Sequence, residues 1–177
     1  NPAVTGIDNG TNITINRTSS GTTSYLAAGN VVKNVSVSGG LNYITDNDCR
    51  AIAGITPNGA APISGNTAAK VWIDGTQPAN FVRRHYEITP ANNAATATGR
   101  VTLYFTQADF DAFNAVNSLK LPTSSSDVAG KANLLVEKRN GTGNANGDFH
   151  SYPGAGTNIN PTDADIVWNN DAARWEV

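Results

Sequence analysis

The chain has one cysteine, two histidines and no methionine in 177 residues, and only 15% of its residues are charged. A lone Cys49 cannot close an intramolecular disulfide, so the fold must hold by packing alone. Without any Met, Asn1 is not an initiator, and the chain is expected to be a processed product or a piece of something longer. No apolar run approaches the roughly 20 residues needed to cross a bilayer, so membrane insertion is not expected. A formal net charge of -2 leaves no cationic surface extensive enough to track a phosphate backbone. Nucleic acid is not an expected partner.

What is abundant is Thr, Ser, Asn, Gly and Ala, with little of the Glu and Lys that stabilise helices. Such a composition suits strands and polar turns. In 100–105, Val101, Leu103 and Phe105 alternate with Arg100, Thr102 and Tyr104, the period of a strand with one buried face. The period then changes. Thr106 and Asp109 have capping-box spacing, and Phe110 and Phe113 follow at helical spacing, which predicts one short helix near 107–116. Further strands are expected at 12–17, 31–38, 43–44, 50–56, 70–74, 81–88, 132–138, 165–169 and 174–177, broken by Gly- and Pro-rich turns. The series predicts an all-β fold, an antiparallel β-sandwich of immunoglobulin-like or jelly-roll-like type, rather than alternating βαβ units. One domain covers 1–177, with 1–48 less regular and readable as an N-terminal extension. The longest irregular stretch, 140–161, is rich in Gly and Asn.

Catalytic groups are sparse. His85 and His150 lie near no G-x-S-x-G elbow, and His85 reads as a cross-strand partner rather than a base. The carboxylate pairs Asp46/Asp48, Asp109/Asp111 and Asp163/Asp165 supply the ingredients of glycoside hydrolysis, but they read as cap and turn residues. No enzymatic activity is expected. No cofactor is expected either; calcium is entertained only at Asp46 and Asp48, because the 140–148 loop carries a single carboxylate, Asp148. Sequon forms occur at Asn12, Asn16, Asn34 and Asn140, as such a composition produces by chance.

The run 49–57, together with Ala69-Lys70-Val71-Trp72-Ile73, Phe81-Val82-Arg83-Arg84-His85-Tyr86-Glu87-Ile88 and Val101-Thr102-Leu103-Tyr104-Phe105-Thr106, resembles a β-sandwich domain of large secreted or surface-attached proteins of Bacteroidetes-type bacteria. The resemblance extends over roughly 49–177, to the closing Asp165-Ile166-Val167-Trp168-Asn169 and Arg174-Trp175-Glu176-Val177. It implies an extracellular or cell-surface location, export with a C-terminal sorting signal, and a role as an adhesion or spacer module. It brings no catalytic residues.

One binding platform follows from strand alternation. If Val71 and Ile73 point inward, Lys70, Trp72 and Asp74 point outward; Thr102 and Tyr104 join Arg83, His85 and Glu87 if those strands pair. Trp72 and Tyr104, flanked by Asp74, Arg83, His85 and Glu87, would then stack and bridge a sugar ring. The expected partner is a glycan or a cell-surface or matrix ligand. The alternative is a structural subunit of an extracellular fibre, joined to copies of itself through edge strands, with the strand at 174–177 as the expected open edge.

Overall fold

A computed structural model describes residues 26, 29–35, 40–46, 50–144 and 148–177. Ten strands, all paired antiparallel, form three sheets among these residues. The first sheet has the order β1-β4-β5, from β1 (Gly29–Val35), β4 (Gly65–Ile73) and β5 (Arg84–Pro90). The second is ordered β2-β3-β6-β10-β9, from β2 (Asn42–Thr45), β3 (Ala51–Pro57), β6 (Gly99–Phe105), β10 (Arg174–Glu176) and β9 (Val167–Asn169). A two-stranded ribbon pairs β7 (Val136–Lys138) with β8 (Thr157–Ile159). The architecture is therefore all-β, with antiparallel sheets and little helix. The strand expected at 12–17 lies outside the described residues, as do Asp48 and Cys49.

Two apolar clusters hold the sheets together. In the first, Ile44, Ala53 and Ile55 of the five-stranded sheet meet Ala69 and Val71 of the three-stranded one, with Tyr86 and Ile88 packed against them. In the second, Phe105, Phe110, Leu121, Leu134, Ile166 and Trp175 gather around α1. Tyr86 touches both clusters. Its hydroxyl donates to the Tyr104 carbonyl, tying β5 to β6. Burial raises the pKa of that phenol, which stays protonated as a donor.

The helix α1 (Gln107–Val116) starts where the sequence places it. Thr106 Oγ1 accepts from Asp109 N at 3.1 Å, and Asp109 Oδ2 accepts from Thr106 N at 2.9 Å, so two otherwise unpaired backbone donors are satisfied. Phe110 then stacks between Phe105 and Trp175, at centroid distances of 5.4 and 5.7 Å. Beyond the cap role, Asp109 is only 1% exposed and accepts from Nε of the equally hidden Arg84 at 2.9 Å. Capping-box spacing does not reveal that second role.

A second helix corrects the expectation of just one. The segment read as a strand over 132–138 divides into α2 (Val128–Ala132) and the short β7. Asp127 caps α2 by accepting from Gly130 N at 2.9 Å, and it also accepts from Thr123 N and Oγ1 at 3.0 Å. Those bonds hold its carboxyl below the usual carboxylate range. Single 3-10 turns occur at Phe149–Ser151 and Asp163–Asp165.

The strand at 174–177 is not an open edge. β10 lies between β6 and β9, and Val177 exchanges backbone hydrogen bonds with Leu103 at 2.8 and 2.9 Å. The outer strands of this sheet are β2 and β9. No helix among the described residues is long and apolar enough to cross a membrane.

Asp109→Ala removes the carboxylate paired with the buried Arg84 guanidinium, a change expected to cost about 3–5 kcal/mol. Roughly 1 kcal/mol of that belongs to the lost helix cap. The double variant Arg84→Met/Asp109→Asn, which removes both charges, should recover part of the loss in urea denaturation. A single-variant loss below about 1 kcal/mol would show that the pair contributes little.

Candidate functional site

Pairing of β4 with β5 places Trp72 opposite His85 and Lys70 opposite Glu87, so these four side chains share one face of the three-stranded sheet. The rings of Trp72 and His85 stack at 5.7 Å between centroids, 11° from parallel. Lys70 Nζ lies 3.1 Å from Glu87 Oε1 and 5.8 Å from the centre of the Trp72 ring. Asp74 extends the ladder by donating its N–H to the Arg83 carbonyl at 2.9 Å, and its carboxylate stands 3.9 Å from His85 Nδ1. The expected outward face therefore exists for Trp72, Asp74, His85 and Glu87. Val71 is buried as expected, but Ile73 is exposed.

Tyr104 does not belong to this face. β5 pairs with β4 and not with β6, so Tyr104 sits in the other sheet, 0% exposed. Its side chain packs with Leu26 and Ala51, and the Arg174 guanidinium carbon lies 3.8 Å above its ring while Nη2 holds Glu176 Oε1 at 2.9 Å. A strand side chain that looks outward by alternation is thus roofed by a cation from β10. The Tyr104 hydroxyl is buried without a hydrogen bond, and burial raises its pKa. That hydroxyl lies 2.7 Å from where a Cβ on Gly54 would stand, so β3 needs glycine there. Arg83 also turns away from a binding role: its Nε lies 3.8 Å from Asp109 Oδ1.

Beside the Trp72 face opens a cleft of about 800 Å³. Its floor is Phe105, Phe110, Phe113, Leu121 and Leu134, and its mouth carries Phe81, Phe149, Leu119 and Leu135. Asp74, His85, Asp148 and His150 supply polar groups around it. Phe81 and Phe149 meet at 5.2 Å, and the edge of His150 faces Phe81 at 6.4 Å. Both histidines of the chain thus come to one cavity. The sequence marks 140–161 as the longest irregular stretch and 140–148 within it as a Gly/Asn loop, without assigning either to a site. The signal within it was the dense Asp148-Phe149-His150-Ser151-Tyr152 run, whose Asp148 caps the turn by accepting from His150 N at 2.9 Å.

His85 Nδ1 and His150 Nδ1 face Asp74 and Asp148 at 3.9 and 3.6 Å, too far for a hydrogen bond, and His85 Nε2 is buried without a partner. Neither imidazole is hydrogen-bonded to a serine or threonine hydroxyl among the described residues. Of the calcium candidates, Asp46 is engaged by Arg50, accepting from its backbone N at 2.8 Å and from Nε at 2.6 Å. A guanidinium on that carboxylate opposes a dication. No group of three or more His, Cys, Asp or Glu side chains suited to a metal occurs among the described residues.

No protein-family model, no curated protein and no solved structure matches the chain.

Tyr152 closes the face from its far side, donating its hydroxyl to Glu87 Oε2 at 2.6 Å. Burial and the neighbouring carboxylate both raise the pKa of this phenol. Glu87→Gln removes the negative charge, so Tyr152 should ionise at a lower pH, read as a shift in the ultraviolet phenolate titration against Tyr152→Phe as reference. An unmoved titration would show that the Glu87 contact is not made in solution.

Proposed function

We propose that the chain is a non-catalytic, extracellular binding module of a surface or secreted protein, with a β-sandwich architecture and a glycan as its ligand. The observation that carries this reading is the Trp72 face: an indole stacked on His85, with Lys70, Asp74 and Glu87 around it. Sugars present an apolar ring face and a rim of hydroxyls, so a flat aromatic edged by charged hydrogen-bonding groups matches both parts. Support for the sandwich comes from the first apolar cluster, which draws residues from the three- and five-stranded sheets alike. Support for the extracellular location comes from the resemblance to secreted surface domains.

A structural-subunit reading has one observation in its favour. The outer strands β2 and β9 carry exposed apolar side chains, Tyr43 and Val167, beside edges that pair with no other strand among the described residues. Assembly through those edges predicts regular self-association in sizing or electron microscopy, abolished by Val167→Lys; a monomer at all concentrations tested would end that reading.

The glycan reading is tested on a glycan array with wild type and Trp72→Ala. Binding by wild type that Trp72→Ala loses by roughly tenfold or more is expected, in line with the energy of a stacked aromatic. No binding by either protein removes it.

A further inference from the structure

We propose that the cleft beside the Trp72 face is a binding site for an organic cation with an apolar body, a ligand distinct from the glycan of the outer face. The cleft's volume of about 800 Å³ is within the roughly 300–1,000 Å³ typical of small-molecule sites. Its floor is made of phenylalanine and leucine, and two of its mouth residues, Leu119 and Leu135, are 67% and 55% exposed. That surface gives an apolar body something to bury against.

The sign of the ligand's charge follows from the charges around the cleft. Among the described lining residues the only permanent cation is Arg84, and Asp109 neutralises it at 2.9 Å. Three carboxylates remain, Asp74, Glu137 and Asp148. Glu137 is held by Arg139 at 3.1 Å, which leaves Asp74 and Asp148, each with an imidazole close by. These two carboxylates give the mouth its negative charge.

The aromatic pair at the mouth favours the same sign. The Arg139 guanidinium already sits 4.6 Å from the centre of the Phe149 ring, so that ring accepts a cation on one face. Phe81, 5.2 Å from Phe149 and tilted 49° to it, offers a second ring at the same opening and is 39% exposed overall. Tilted aromatic faces bordered by carboxylates are suited to an alkylammonium head, which is drawn to ring quadrupoles and needs no hydrogen-bond acceptor. An anionic head would meet Asp74 and Asp148 instead.

The test compares three small amphiphiles with one tail and different heads: hexyltrimethylammonium, hexyl sulfate and hexyl glucoside. Each is titrated below its micellar range into the whole chain at about pH 8. The cation should bind roughly fivefold or more tighter than the sulfate. Asp74→Asn/Asp148→Asn should remove that preference while leaving the melting temperature close to wild type. Leu135→Trp, at an exposed position that fills the mouth, should weaken all three. The proposal is overturned by no binding of the cation, by equal or reversed preference between heads, by a preference that survives the double Asn variant, or by binding indifferent to Leu135→Trp. Asp74 and His85 border both surfaces, but Trp72 does not line the cleft, so Trp72→Ala should lose glycan binding and keep the preference for the cation, which separates the two readings.

Discussion

The ion pair between Arg84 and Asp109 is the constraint around which the two main sheets and the helix are arranged. Both groups are almost wholly removed from water, and an unpaired charge there would be far more costly than any surface interaction of this chain. The pair can form only if β5 of one sheet lies against the first turn of α1, which itself continues from β6 of the other. The same carboxylate accepts from Thr106 N and Oγ1, so the start of the helix and the position of β5 are fixed by one group. Hydrophobic packing supplies most of the stabilisation in such a fold, but it is tolerant of small slips. A buried, directional pair is not, and here it sets the registration of the elements that border the cleft.

Much of this was legible from residue order. The β4 and β5 strands, the turn between them and the capped helix follow from period-two and helical spacing with a capping box. Two failures have a common physical origin. Tyr104 is outward by alternation, yet Arg174, some seventy positions along the chain, covers it; Asp109 is a cap by spacing, yet Arg84 from another sheet buries it. Local periodicity records which face a side chain is on, not what comes to lie over that face. The cleft was invisible for the same reason, because its walls come from 74–86, 103–121, 133–137 and 148–150.

The misreading of α2 is of another kind. Asp127, with Thr123 behind it, is a cap signal present in the sequence. The helix it starts is a single short run, Val128–Ala132, containing Gly130, whose Cα packs against Pro122 closely enough that a Cβ there would lie 2.7 Å from the proline Cα. Five residues with a central glycine have too little intrinsic helix propensity to outweigh the strand-like Leu134, Leu135 and Val136 that follow. Tertiary packing, not local preference, decides that segment.

The position of β10 between β6 and β9 gives this sheet an unusual dependence on distant sequence. β2, β3 and β6 can pair with one another through connections within the first 105 residues, whereas β6 finds its second neighbour only after α1, α2 and the β7–β8 ribbon have been traversed. In any state of the chain where β10 has not docked, the far side of β6 is a bare ladder, and the Tyr104 ring lacks its guanidinium roof. Closing so long a loop carries an entropic cost that is recovered only when the contact is complete. The roof over Tyr104 is thus supplied by a strand remote in sequence, and the sheet beneath it presents an unpaired ladder whenever that strand is not docked.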